Sequence, residues 1–284
     1  MSKSRISKPT YEPAVWRLLK SGPSDGPTNL AVDEALLESV EAGESLPLLR
    51  IYTFEPPCLT IGRDQDWDIV DLDSCNELGW NVVRQITQGR AILHTADLAF
   101  AISLPLNDSR AQGNPTESYE HLAEGLLTTL KNIGLEPNRT RPYYHDSGPP
   151  GPLGFDGPAE TDFDISIGQR KLINSSQWRT GSALLQQGSF PLAGDVTQIA
   201  DGLWFDYPGQ KIAVVNRLGY RATTLELMLG RDVPFEEAAT NFIQGFSDAL
   251  NLTFETGELT EKETARAQQL RAEKYTTESW LKRT

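Results

Sequence analysis

The residues best suited to chemistry lie in two short stretches. Residues 82–104 read Val-Val-Arg-Gln-Ile-Thr-Gln-Gly-Arg-Ala-Ile-Leu-His-Thr-Ala-Asp-Leu-Ala-Phe-Ala-Ile-Ser-Leu. An apolar run, a polar turn around Gly89 and a second apolar run bring Arg84, Arg90 and His94 close together in sequence. Farther along, Gly168 to Gln177 reads Gly-Gln-Arg-Lys-Leu-Ile-Asn-Ser-Ser-Gln, with Lys171 between a glycine turn and an apolar pair. A turn rich in backbone N–H donors facing a fixed cation suits a carboxylate, an acyl-thioester or an acyl-phosphate. On spacing alone the same residues also fit a solvated hairpin and an exposed lysine.

Regular elements must hold these residues. The spacing predicts a helix over 29–41 behind a capping Asn29. Strands follow at Leu49 to Phe54 and Cys58 to Ile61, split by Pro56-Pro57, then at Trp80 to Ile86 and Ala91 to Leu104, where Pro105 ends the run. Ser118 to Ile133 reads as an amphipathic helix closed by Gly134. Residues 138–162 form one long irregular segment dense in Pro and Gly, of the kind that is functional or disordered. Strands resume at Phe163 to Ile167, Lys171 to Trp178 and Ala183 to Phe190. Helices are expected at Ala222 to Leu229, Phe235 to Leu250 and 260–272. Strand runs followed by helix runs point to an α+β fold, a mixed or antiparallel sheet with packed helices. The expected organisation is one catalytic domain over 1–284, with a flexible N-terminus (1–10), an active-site loop (138–162) and a helical tail (257–284).

Composition narrows the partners. The 284 residues can bury a sizeable core, and 38% hydrophobic with 23% charged residues fits an ordinary globular protein. No apolar run approaches the roughly 20 residues needed to span a bilayer, and Met1 to Pro9 lacks the apolar stretch of a secretory signal. The expectation is therefore a cytoplasmic protein with no membrane partner. A net charge of −13 argues against nucleic acid, which needs a basic stripe. Acidic residues crowd 64–77 and 156–164, whereas Arg84, Arg90, Arg170, Lys171 and Arg179 sit in the two informative stretches, a contrast that favours an anion site. Two cysteines, Cys58 and Cys75, and three scattered histidines give neither a disulfide framework nor a metal cluster, so no bound metal is expected. For both cysteines the small buried hydrophobe is the favoured role.

Taken in order, these stretches resemble the biotin/lipoate protein ligase and octanoyltransferase superfamily. Asn29-Leu-Ala-Val-Asp-Glu-Ala-Leu-Leu37 is similar to the family's opening helix, and Arg50 to Gln65 to its first hairpin. Arg84-Gln-Ile-Thr-Gln-Gly-Arg-Ala-Ile-Leu-His94, then Asp97-Leu98, resembles the Arg-Arg-x-Thr-Gly-Gly-Arg/Gly-Ala-x-x-His signature. Gly168 to Gln177 resembles the segment with the family's lysine, Leu185 to Ser189 the strand after it, and Leu259 to Trp280 the closing helix. The resemblance implies the ligase catalytic-domain fold and Lys171 as the catalytic anchor of an acyl carbonyl or phosphate. Arg84, Thr87, Gln88, Gly89, Arg90, Ala91, His94, Asn174 and Ser175 would surround the substrate. Thr87, Gly89 and Arg90 would form the turn, with Arg84 and His94 in support. Ligases of this kind join lipoate or octanoate to AMP, using ATP and magnesium as substrates, and then pass the acyl group to a lysine of a lipoyl domain. The implied acceptors are a 2-oxoacid dehydrogenase E2 or a glycine cleavage H-type protein.

The departures from the pattern bear on mechanism. The second arginine of the signature is Gln85 and its first glycine is Gln88, where a side chain opposes a positive φ, so the turn is expected to be reshaped or the acyl tunnel narrowed. Asn174 stands for a glycine and Ser176 for an alanine. Where the longer octanoyltransferases carry a cysteine nucleophile before Phe-Glu and a Pro-Ser pair, this chain has Gly154-Phe-Asp156 before Pro158-Ala159. Thioester transfer through a cysteine is therefore not expected. The chain is also short of the extra C-terminal domain that single-chain lipoate ligases carry, as expected of either a ligase core served by a separate accessory ligase domain or a paralogue that has lost activity. The favoured reading is a lipoate–protein ligase-like enzyme acting through an acyl-adenylate. The alternatives are a non-catalytic lipoyl- or carrier-binding paralogue and an octanoyltransferase using acyl carrier protein.

Overall fold

The structure, a computed structural model, describes residues 11–138, 151–156 and 165–283. The expected flexible N-terminus, most of the 138–162 loop, His145 and the Pro158-Ala159 pair lie outside the described residues.

Strand β1 (Ala14–Lys20) leads into helix α1 (Gly26–Glu41). The Asp25 carboxylate accepts from the Thr28 N–H at 2.8 Å, and Pro27 sits in the first turn where its missing N–H costs nothing. Next come β2 (Leu48–Tyr52), β3 (Cys58–Ile61), the short α2 (Leu72–Glu77), β4 (Asn81–Arg84), β5 (Ile92–His94) and β6 (Asp97–Pro105). Helix α3 (Pro115–Asn132) opens with an Asn114–Glu117 capping box. Strands β7 (Pro137–Asn138), β8 (Ile165–Ile167), β9 (Arg170–Arg179) and β10 (Ala183–Pro191) are followed by α4 (Pro208–Arg221), α5 (Leu225–Leu229) and α6 (Phe235–Leu250). Strand β11 (Leu252–Thr256), α7 (Glu261–Leu270) and α8 (Glu278–Leu281) complete the chain.

Eight strands form one sheet in the order β11-β1-β2-β6-β10-β9-β8-β7, with β1 parallel to both its neighbours and the other pairs antiparallel. Central β6 shows how side-chain alternation assigns the layers. Leu98, Phe100, Ile102 and Leu104 face the cluster containing α3 and α6, whereas Ala99 and Ala101 face α1. Bulk goes to the thick core, and the alanines let α1 lie close to the sheet. Helix α7 packs on the outer side of α1.

A second, three-stranded sheet in the order β4-β3-β5 is parallel between β3 and β4 and antiparallel between β3 and β5. The expected mixed α+β fold is present, but two local expectations are corrected. Strands β2 and β3 do not form a hairpin, because they belong to different sheets. Strands β4 and β5 are not a hairpin either, since β3 lies between them and the turn over residues 85–91 crosses its end. The single strand expected over Ala91 to Leu104 divides at Thr95-Ala96, where the chain passes from the small sheet to the large one.

Candidate active site

The turn after β4 is held by close contacts. Gly89 has φ +126°, a conformation that favours glycine, and a Cβ there would lie 3.0 Å from the Ser176 Cβ on β9, a tight approach. Gln88 needs no left-handed backbone, because among the described residues Asn251 is the only non-glycine with positive φ. The turn therefore accommodates Gln88 in an ordinary backbone conformation. Its side chain turns outward and donates to the Asp64 carboxylate at 3.3 Å. Gln85 reaches inward, with Nε2 donating to the Gln88 carbonyl at 3.3 Å and to Ser176 Oγ at 3.4 Å.

A buried polar relay fixes the turn to α1. Ser176 Oγ donates to Thr87 Oγ1 at 3.0 Å, and Thr87 Oγ1 donates to Gln187 Oε1 at 3.1 Å. Gln187 Nε2 and the Tyr52 hydroxyl both donate to Asp33 Oδ2 at 2.7 Å. Arg50 closes the relay, with Nη1 on Asp33 Oδ1 at 2.6 Å and Nη2 on Asn29 Oδ1 at 2.8 Å. Burial and the adjacent Asp33 carboxylate push the Tyr52 hydroxyl well above its ordinary pKa, keeping it a donor.

Beneath the turn runs a narrow slot with room for about one water. Leu30, Phe54 and Ile92 give it apolar walls, while Gln85, His94 and Asn174 give it polar ones. His94 is placed on three sides. Its ring stacks on Phe54 with centroids 4.2 Å apart, Nδ1 lies 2.6 Å from Asp97 Oδ2, and Nε2 lies 3.3 Å from Thr60 Oγ1. Ser189 Oγ also donates to Asp97 Oδ2 at 2.6 Å, whereas Asp97 Oδ1 has no hydrogen-bond partner.

Two further concavities adjoin the slot. Across β5 lies a mostly apolar pocket walled by Leu93, Leu153, Phe155, Val196 and Leu218, with Asp97 also in its lining. On the outer side of the turn is an open cleft lined by Asp64, Asp66, Gln88, Gly89 and Arg90. The segment 151–156 runs between them. It pairs with Ala91 through Ala91 N–H to the Pro152 carbonyl (3.1 Å) and Gly154 N–H to the Ala91 carbonyl (2.8 Å). Arg217 and Arg221 from α4 both bind the buried Asp156 carboxylate.

The sequence-predicted residues divide accordingly. His94 and Asn174 line the slot, Thr87 braces the turn above it, and Gln88, Gly89 and Arg90 face the outer cleft. Arg90 also donates to the Gly151 carbonyl at 3.0 Å. Ala91 lines the apolar pocket. Arg84 does not join His94 in the slot. Its guanidinium donates to the carbonyls of Gly62, Gln65 and Leu281 at 2.7, 2.6 and 2.8 Å, which makes it a brace between the β3 end and the C-terminal tail. Ser175 also points away. Between Asn174 and Ser176, strand alternation turns it to the α3 side, where its hydroxyl meets the Tyr119 hydroxyl at 2.7 Å. Lys171 is buried at the head of β9, three residues before Asn174 and outside the slot lining. Its carbonyl accepts from the Thr223 N–H at 3.0 Å.

Sequence reasoning missed Asp33, Arg50, Tyr52 and Gln187. The available signal was polarity in apolar company: Asp33 shares the buried face of α1 with Leu30, Leu36 and Leu37, and Arg50 stands in the middle of an otherwise apolar strand. Both cysteines are buried as expected. Burial pushes the Cys58 thiol well above its ordinary pKa and the Cys75 thiol up to about 11.

Comparison with known proteins agrees with this architecture. Residues 25–247 match the lipoyl protein ligase A/B catalytic domain. The chain is 32% identical to Octanoyltransferase LipM of Exiguobacterium sibiricum, over 93% of this chain and 97% of that one. Among solved structures, lipoate-protein ligase A bound with ATP superposes with TM-score 0.76 at 25% identity, over 95% of this chain and 99% of that one. A putative lipoate protein ligase from Thermoplasma acidophilum with bound lipoic acid gives 0.74 at 25% identity, over 95% and 100%. The fold, the ordered motifs and these similarities agree: the chain is an acyl-transferring enzyme that belongs to the lipoyl protein ligase A/B catalytic-domain family.

Proposed function

We propose that the protein is a lipoate–protein ligase-like enzyme that activates lipoate or octanoate with ATP and attaches it to a lysine of a lipoyl domain. The observation that carries this reading is the absence of an accessible thiol. Position 154 is glycine, and the only two cysteines of the chain are buried, with thiols held protonated. A covalent acyl-enzyme needs a thiolate in reach of the acyl carbon. Without one, the carboxylate needs another route to a good leaving group. In the adenylate route a carboxylate oxygen attacks the α-phosphorus of ATP and pyrophosphate leaves. The acceptor amine then attacks the acyl carbon, AMP leaves and the amine gives up a proton.

The described residues fit the parts of such a substrate. The slot takes the acyl chain. The apolar pocket across β5, with the unpartnered Asp97 Oδ1, suits a flat heterocycle that carries an amine donor. Gly89 and Arg90 supply donors toward the phosphates, and Lys171 is assigned as the electrostatic anchor where charge develops. Magnesium accompanies the triphosphate as a substrate. Among the described residues no group of three or more His, Cys, Asp or Glu side chains could hold a metal ion. A separate accessory ligase domain belongs to the same proposal.

One observation favours a second reading. Relatives of 32% identity that the chain matches over nearly its whole length are named octanoyltransferases, and direct attack of an acceptor on a carrier thioester would need no enzyme thiol. Pyrophosphate exchange separates the two. With magnesium and octanoate or lipoate, the ligase exchanges labelled pyrophosphate into ATP, and Lys171→Ala lowers the rate about 10²–10³-fold, as for loss of one oxyanion donor. No acid-dependent exchange, with or without an accessory domain, favours thioester transfer.

A further inference from the structure

One wall of the slot carries an amide that bridges two elements. Asn174, 6% exposed on β9, donates from Nδ2 to the Gly154 carbonyl at 2.8 Å and so ties the large sheet to the 151–156 segment. The two positions depend on each other. A Cβ at 154 would lie 3.1 Å from Asn174 Nδ2 and 2.7 Å from Ile92 Cγ1, so a side chain there would crowd the amide and force Ile92 to shift. Asn174 and Ile92 both line the slot, and with the amide across it the space left holds about one water. Neighbouring walls cannot retreat readily. Ile92 belongs to the three-stranded sheet, Gln85 is bonded to the turn and to Ser176, and His94 is held by Phe54, Thr60 and Asp97. Among these side chains, Asn174 has a single hydrogen bond, so it is the cheapest to move.

We propose that Asn174 sets the length of acyl chain the enzyme accepts, as a latch that an incoming carboxylic acid must displace from Gly154. The inference rests on the reading of the slot as the acyl site. A chain short enough to stop before Asn174 leaves this hydrogen bond intact. A longer one breaks a buried hydrogen bond and must find a new place for the amide, which offsets the gain from burying further methylenes. Removing the amide should therefore lengthen the slot without touching the turn, the relay through Thr87 or Lys171.

The test is calorimetric binding of straight-chain carboxylic acids of four to ten carbons to the full-length protein and to Asn174→Gly, with Asn174→Ser as the companion should the glycine variant fold poorly. Each buried methylene tightens binding about fourfold. In the parent protein that gain should stop at a shorter chain than in either variant, and the variants should continue to gain for at least two more carbons. The same stopping length in all three proteins would overturn the role of Asn174 while leaving the acyl slot intact. No binding of any acid to any of them would overturn both the latch and the slot on which it rests.

Discussion

Thr87 touches one side chain on β10 and one on β9, yet through Gln187 it is tied to a buried charge pair in the core. Asp33 and Arg50 are 0% and 2% exposed, and Asp33 divides its two oxygens among Arg50, Tyr52 and Gln187. Leaving one partner of such a pair unmatched costs about 3–5 kcal/mol, so the relay anchors the turn to a pair that the fold does not break cheaply. Position 154 shows the reverse arrangement, a backbone carbonyl where a side chain is excluded. Gly154→Cys is therefore expected not to form an acyl-enzyme when incubated with octanoyl carrier protein. The new Cβ would press on Ile92 Cγ1 and crowd the Asn174 amide. Intact-mass measurement before and after hydroxylamine checks this, and a full burst of a hydroxylamine-labile adduct would mean that a lost thiol alone separates this chain from a thioester transferase. At this scale the sequence was informative wherever a residue belongs to a contiguous motif, as with His94 and Gly89. It was silent on Asp33 and Arg50, whose partners lie on separate elements. Ser175 belongs to the same motif, but the two-residue period of a strand turns its hydroxyl away from Asn174 and toward Tyr119.

Helices α7 and α8 act as a strap across α1 and the small sheet. Arg17 on β1 binds Glu263, Arg266 binds Glu38, Arg271 binds Asp25 and Lys274 binds Glu34. Trp280 Nε1 then donates to the Arg84 carbonyl at 2.9 Å, directly before the turn. For Glu263, burial works to raise the pKa, but hydrogen bonds from Arg17 and from the Thr260 N–H outweigh it and hold the carboxyl below its ordinary value. The same balance holds for Asp25, where Arg271 and Thr28 prevail over burial. A depressed folded-state pKa contributes stability that is present above the unfolded value of about 4.3 for Glu and 3.9 for Asp, and is lost as pH falls through the folded value. Melting temperature should therefore drop more steeply between about pH 5 and pH 3 in the parent than in Glu263→Gln, which has no carboxylate to protonate. Parallel curves for the two proteins would show that the strap is not held by this pair. Elements with strong periodicity, such as α6 and β3, were legible to the residue in the sequence. Strand β1, α2, α4 and β11 were not. Helix α4 buries only Leu218 and Arg221, too little to mark a helical face, and β11 is recognisable only through its pairing with β1 across the chain.

Over the whole molecule, a net charge of −13 surrounds a site whose own cations are engaged in shaping it. Arg84 braces the tail, Arg50 closes the relay, and Arg217 and Arg221 fix the segment beside the slot. Among the described residues no helix is long and apolar enough to cross a membrane. The architecture was legible from six motifs in sequence order, because the family's site is built from contiguous turns on successive strands. The pairing of those strands was not, since β3 enters between β4 and β5 and separates the two halves of what reads as a hairpin. The central claim is that acyl groups reach the acceptor through activation by ATP rather than through an enzyme thioester. Intact-mass analysis of a lipoyl domain tests it most directly, after incubation with the enzyme, any accessory domain and octanoate, with and without ATP and magnesium, beside a sample given octanoyl carrier protein alone. The account predicts the mass increase of one octanoyl group only where ATP is present; loading from the carrier thioester without ATP would contradict it.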